Sequence, residues 1–466
     1  PNPSQFTEKL HGMGFKALTY VHPYLRSVLD PYNLPNPLFE EGARNGLFVL
    51  NSRGEPTGPA FEPFTDGNID FTSPANVDWW ERKVRQILLN DNFDGWMEDF
   101  GEWVNPTDRF AAGVTGRKMQ NLNPLFYHKI TYEITHKAKP DAVEFDRSGY
   151  AGSQAYTPVV WGGDQFPTWK QVYGLPSVVR AGITAGLSGF AVWGPDIAAN
   201  GHDKELWTRW VEFGALTPIM RNHLWDMPKG AVNLWYDQQT LDTFRRYARL
   251  HVSLFPYLYT YARQATKTGL PVMRHPMLEF PKDPKTYNTR AEYFLGDKIL
   301  VAPVVKQGAT SRSLYLPQGS WMDYWTGKII KGGREATVPA PLEQIPIFVR
   351  AGSILPLISP DTQTLARTLP ADLTWRIFPA SAPVQDSFTL YDGTMGQASE
   401  EASRIEVRVE HSPVVRHYEV ILPATRKPRD AMLAGKPLST GWRMDARNRT
   451  VHVLFQARDF DLDIDR

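Results

Sequence analysis

The chain has 466 residues, with 51 basic and 50 acidic side chains and a formal net charge of +1. That length allows roughly two to four domains, and the charge balance gives no reason to expect nucleic acid or an anionic membrane as partner. Cysteine is absent, which excludes disulfides, thiolate metal sites and a cysteine nucleophile and leaves the compartment open.

The chain opens Pro1-Asn2-Pro3-Ser4 without a methionine, directly ahead of a predicted helix over 4–12, and reads as a piece of something longer. Phe15 to His22 reads as a buried strand. A long loop rich in Pro, Asn and Gly is expected from Pro23 to about Asn68, its length pointing to function more than linkage. Thr72-Ser73-Pro74 opens a helix, with a hydroxyl cap and proline in the first turn, and Val77, Trp80, Val84, Ile87 and Leu88 give it an apolar stripe. Strands are expected at Gly95–Phe100, Ala142–Phe145, Val159–Trp161, Phe190–Trp193 and Thr217–Met220. Helices are expected at Leu125–His136, Pro176–Ala185, Lys204–Gly214 and, as one long element, Gln239–Thr266.

This alternation predicts a parallel α/β sheet, most simply a (β/α)8 barrel over 1–287. About six strand–helix units can be counted where a closed barrel needs eight. The two others are expected on an N-terminal segment of the same protein that completes the barrel, as a separate chain or as a stretch outside this one, since an open sheet would leave bare edges. Two strands overlooked within 23–68 are the alternative. From about Asn288 helical stripes give way to short strands between Gly and Pro turns, among them Ala302–Val305, Ser313–Leu316, Ile345–Val349, Ile405–Val409, Tyr418–Val420 and Phe460–Ile464. These predict one or two β-sandwich domains, divided as 288–362 and 363–466.

The chemistry centres on two carboxylates. Asp99 ends the run Trp96-Met97-Glu98-Asp99-Phe100-Gly101-Glu102, and Asp164 ends Trp161-Gly162-Gly163-Asp164-Gln165. Carboxylates offered by different strands of one sheet are what glycosidic cleavage needs, one to attack or stabilise the sugar cation and one to protonate the leaving oxygen. An Asp at a strand end also serves as a helix cap or a solvated loop charge. Here, however, Glu98, Asp99 and Glu102 crowd three carboxylates into five residues. Such crowding is costly unless something positive develops among them. Glu102 fits a supporting hydrogen-bond partner. Arg147 follows another strand and can orient a carboxylate or bind sugar hydroxyls. Asp196 and His223 follow later strands as candidate hydroxyl binders, with capping or structural roles as alternatives. There is no HExxH spacing, no P-loop and no GxGxxG, so no metal or cofactor is expected.

Together these segments resemble glycoside hydrolase family 31, the retaining α-glycosidases. The segment around Asp99 is similar to the family's nucleophile segment. Arg147-Ser148-Gly149-Tyr150-Ala151-Gly152-Ser153-Gln154, running on to Asp164, resembles its acid/base segment. Trp193-Gly194-Pro195-Asp196-Ile197 and Arg221-Asn222-His223 resemble later strand ends that bind the first sugar. Gly269-Leu270-Pro271-Val272-Met273-Arg274 and Leu295-Gly296-Asp297-Lys298 also match. The resemblance implies an exo-acting hydrolase of α-glucoside type with Asp99 as nucleophile and Asp164 as acid/base. Arg147, His223, Trp161, Asp196, Met97, Phe100 and Gln165 are expected around the sugar, with an oligosaccharide or α-glycoside as partner and a homo-oligomer as an allowed state. Met97 and Phe100 are closer to the α-xylosidase and sulfoquinovosidase branches. Ala198-Ala199-Asn200 departs from the family's usual two glycines and an aromatic, and Asn200 stands where sulfoquinovosidases carry a sulfonate-supporting tyrosine. Transglycosylation, a related lyase chemistry, or a carbohydrate-binding scaffold without turnover are the remaining readings.

Overall fold

A computed structural model describes all residues except 1, 30–33, 60–65, 199–200, 225–227, 366–369, 425, 439 and 466. The chain divides into two compact units, residues 1–163 and 164–466.

In the first unit the strands Thr19–Val21, Gly95–Glu98, Val143–Asp146 and Val160–Trp161 run parallel, side by side in that order. Register sets Val21 opposite Glu98, Glu98 opposite Asp146 and Asp146 opposite Val160. The helices Pro74–Arg85 and Leu122–Ala138 connect them. Each helix turns an aromatic face inward: Trp79, Trp80 and Val84 from the first and Tyr127 and Ile134 from the second pack into one core with Trp96. Gly95 has φ 141°, and a Cβ there would overlap the carbonyl of Val143, so the neighbouring strand can approach only a glycine.

The expected loop over 23–68 is more ordered than its composition suggested. Its described residues contain the helix Pro37–Arg44 and the short antiparallel pairs Tyr24–Arg26 with Asp66–Asn68 and Val28–Leu29 with Leu34–Pro35. The prolines and asparagines that read as loop are caps: the Asn36 side chain accepts from Leu38 N at the helix start, and Pro37 occupies the first turn. These pairs are antiparallel and lie apart from the parallel strands.

The second unit begins with the helices Leu175–Leu187 and Lys204–Gly214. The latter is capped by Asp203, whose carboxylate accepts from Leu206 N at 3.0 Å. The strand expected at Thr217–Met220 is displaced to Arg221–His223, parallel to Asp196–Ala198. Thr217 instead turns its hydroxyl onto the carbonyls of Gly214 and Ile219. The single helix expected over 239–266 is two, Gln238–Ser253 and Phe255–Thr268, because Pro256 cannot donate within a continuous helix and suits the first turn of a new one.

Beyond them lies a six-stranded antiparallel sheet, in the order Met273–Arg274, Tyr293–Leu295, Ile299–Val301, Ile347–Arg350, Ser320–Asp323, Ile329–Lys331. The strand expected at Ala302–Val305 falls three residues earlier, at Ile299–Val301, since Pro303 offers no ladder donor. The last part pairs a five-stranded sheet built on Arg416–Pro423 and Thr450–Ala457 with a six-stranded one built on Arg404–Glu410 and Phe460–Asp465. Alternation along these strands is clean: Ile405, Val407 and Val409 are buried while their neighbours face water.

Arg416 anchors this region from inside. It is 1 % exposed, donates to Thr394 and Ser412 at 2.9 Å each and pairs with Asp392. Replacing it would strand a buried carboxylate. Arg416→Met is therefore expected to lower unfolding free energy by about 3–5 kcal/mol in chemical denaturation; a loss below about 1 kcal/mol would show that the pair is solvated.

Candidate active site

In the first unit, Asp99 follows the strand Gly95–Glu98 and is 5 % exposed. Its backbone N–H donates to Val21 O at 2.9 Å, holding it to the neighbouring strand end. Arg147 Nη1 lies 3.1 Å from Asp99 Oδ1, and Arg147 Nη2 donates to Glu102 Oε1 at 2.7 Å. One guanidinium therefore bridges two of the three crowded carboxylates. The Tyr20 hydroxyl donates to the other Asp99 oxygen.

Phe100 turns into the left-handed region at φ 64°, and its ring lies 4.0 Å from the Arg147 guanidinium carbon. His22, Tyr24 and Trp103 surround the same ring. Burial, with help from Arg26, lowers the His22 pKa to about 4, which keeps that imidazole neutral at ordinary pH. The role of Gly163 is visible here: a Cβ on it would come within 2.9 Å of Arg147 Cδ, so glycine leaves room for the arginine stem. Met97 is half-buried on its strand. Trp161 is 1 % exposed and stacks on Phe145 at 4.8 Å, inside the core.

In the second unit, Asp164 is exposed and Gln165 beside it is half-buried. Asp196 is 1 % exposed and pairs with Arg221, and His223 Nδ1 lies 3.4 Å from its other oxygen. Asp164 is near enough to act electrostatically on both Asp196 and His223. The group thus gathers two carboxylates, a guanidinium and an imidazole at the parallel strands Asp196–Ala198 and Arg221–His223. Burial lowers the His223 pKa, and Arg221 adds to this. Ala199 and Asn200 lie outside the described residues.

Tyr20 is not among the expected site residues, and Arg221 enters there only as part of the segment Arg221-Asn222-His223. Tyr20 lies two residues before the end of the predicted strand Phe15–His22, and Arg221 is two residues from His223 on a strand, hence on its face. Strand-end position alone could have found both. No motif or spacing pointed to the buried trio Glu98, His128 and Asp146, whose ligand atoms lie within 4.8 Å of one another.

Burial raises the Asp196 carboxyl from 3.8 to about 6, with the Asp164 charge adding to the rise and Arg221 opposing it. The folded state therefore binds the proton more tightly than the unfolded chain between these values. Stability from this group falls as pH rises from about 4 to about 6, by up to about 3 kcal/mol, and is level above that. Comparing wild type with Asp196→Asn across this range should reveal the slope in wild type alone; equal slopes would contradict the assignment.

Residues 1–261 match the glycosyl hydrolases family 31 TIM-barrel domain, and residues 269–355 match the glycosyl hydrolase family 31 C-terminal domain. The chain is 36 % identical over 363 residues to a sulfoquinovosidase of Agrobacterium fabrum, covering 76 % of this chain and 54 % of that protein. It is 30 % identical over 489 aligned positions to an isomaltosyltransferase of Sporosarcina globispora, covering 97 % of this chain and 44 % of that one. A Flavobacterium johnsoniae dextranase, solved in complex with isomaltotriose, superposes with a TM-score of 0.87 at 28 % identity, covering 100 % of this chain and 64 % of that one. The chain spans about half the length of the curated relatives it matches. With a barrel-domain match over more than half its length, followed by the family's β-sandwich region, the chain belongs to glycoside hydrolase family 31.

Proposed function

We propose that this chain carries the catalytic carboxylates of an exo-acting retaining α-glycosidase, with Asp99 as nucleophile and Asp164 as general acid/base. The observation that carries the reading is the setting of Asp99: a nearly buried carboxylate at a parallel strand end, with Arg147 as counter-charge and Tyr20 fixing its second oxygen. In the reaction, Asp99 attacks the anomeric carbon while Asp164 protonates the departing oxygen. Asp164 then takes a proton from the incoming water, which releases the sugar from Asp99 with retained configuration. Glu102 braces Arg147. Asp196, Arg221 and His223 offer donors and acceptors for the hydroxyls of the first sugar.

An α-glucoside is the substrate class favoured here. The similarity that runs through the distal sheets is to the isomaltosyltransferase and the dextranase, whereas the sulfoquinovosidase match covers 76 % of the chain. The former also supports a second reading, transfer of the sugar to another sugar in place of water, which product analysis at high substrate concentration separates from hydrolysis.

Aryl α-glycosides of glucose, xylose and sulfoquinovose, tested on the full-length protein, decide the main reading. Asp99→Ala should lower turnover at least about 10³-fold, and Asp164→Ala about 10²–10⁴-fold, the latter recovered by azide as an α-glycosyl azide. Turnover near wild type in Asp99→Ala would overturn it.

A further inference from the structure

Directly behind Asp99, Glu98 and Asp146 are register partners on adjacent parallel strands, and both are buried to within 1 % of full. Two buried carboxylates side by side repel unless something positive joins them. His128 reaches in from the helix Leu122–Ala138, itself fully buried, with Nδ1 3.0 Å from Glu98 Oε1 and 3.7 Å from Asp146 Oδ1.

The other side of the ring fixes its tautomer. Ser148 Oγ donates its only proton to Phe100 O at 2.6 Å, so it must accept from His128 Nε2, 2.8 Å away. Nε2 therefore carries the hydrogen, and Nδ1 of the neutral ring presents a lone pair to the two carboxylates. Three acceptors thus face one another. A proton could join two of them, but neither oxygen of Asp146 has a hydrogen-bond partner among the described residues.

We propose that Glu98, His128 Nδ1 and Asp146 form a structural binding site for one divalent first-row cation, Zn²⁺ or Mn²⁺. Each residue offers a ligand atom within 4.8 Å of the others. The separations of 3.0 and 3.7 Å are close to those of neighbouring ligands around a cation with bonds of roughly 2.0–2.2 Å. One imidazole and two carboxylates suit these metals, and two ionised carboxylates balance the charge. The Nε2–H to Ser148 bond is the outer-shell contact that orients a metal-bound histidine. All three side chains are buried, so the ion would act on structure. Through Ser148 it would hold the Phe100 carbonyl, one residue beyond Asp99.

The test is metal content, read independently of activity. The full-length protein, freed of metal with a chelator and reloaded with Zn²⁺ or Mn²⁺, should retain one equivalent per chain after gel filtration. Its melting temperature should rise on reloading by several degrees. Asp146→Asn should abolish both effects, and Glu98→Gln is the second variant should the first fail to fold. Wild-type protein that retains less than about a tenth of an equivalent of either metal, with a melting temperature indifferent to chelator and ion, would overturn the proposal without reference to either variant.

Discussion

The guanidinium of Arg147 is the element on which the surroundings of Asp99 depend. It stands between Asp99 and Glu102, carboxylates that would otherwise face each other in a setting where Asp99 is 5 % exposed. Removing the cation from such a group leaves unmatched charge that costs several kcal/mol. Neighbouring features follow from its position. Gly163 lacks a Cβ because the arginine stem runs there. Phe100 adopts a left-handed backbone and presents its ring to the guanidinium, a conformation the surrounding contacts must impose on a residue with a bulky side chain. Asp99 itself is tied to the adjacent strand through Val21 O, so strand register and ion pairing aim the same carboxylate.

A related arrangement recurs in the second unit. Arg221 pairs with Asp196 at parallel strand ends, as Arg147 pairs with Asp99. There desolvation and the Asp164 charge outweigh the arginine, and the Asp196 carboxyl keeps its proton to about pH 6. A neutral or half-ionised carboxyl can donate to a hydroxyl as well as accept from one. Asp196 can therefore supply either half of a hydrogen bond in mildly acidic solution.

Much of this was legible because strand ends in a parallel α/β fold collect polar residues that are also neighbours in sequence. Asp99, Glu102, Arg147, Asp196 and His223 each stood out locally, beside a run of apolar residues or a glycine. Four features were hidden. Prolines and asparagines between 23 and 68 read as loop, yet Asn36 and Pro37 start a helix, because the same residues that break structure also begin it. Pro256 divides what periodicity alone joined into one helix. The Glu98–His128–Asp146 cluster depends on strand register and on which face of a helix turns inward, and residues so far apart in the chain carry no shared spacing. Tyr20 was missed because a tyrosine on a predicted strand is indistinguishable from packing until its hydroxyl is seen on Asp99.

The central claim is that Asp99 becomes covalently bonded to the sugar during turnover. The most direct measurement is trapping with a fluorinated α-glucosyl fluoride, which slows release of a glycosyl-enzyme, followed by proteolysis and mass mapping of the full-length protein. One sugar per chain, carried by the peptide containing Asp99 and released when the reagent is removed, is the result this account requires. A label on a different carboxylate, or turnover of the reagent with no adduct at any stage, would contradict it.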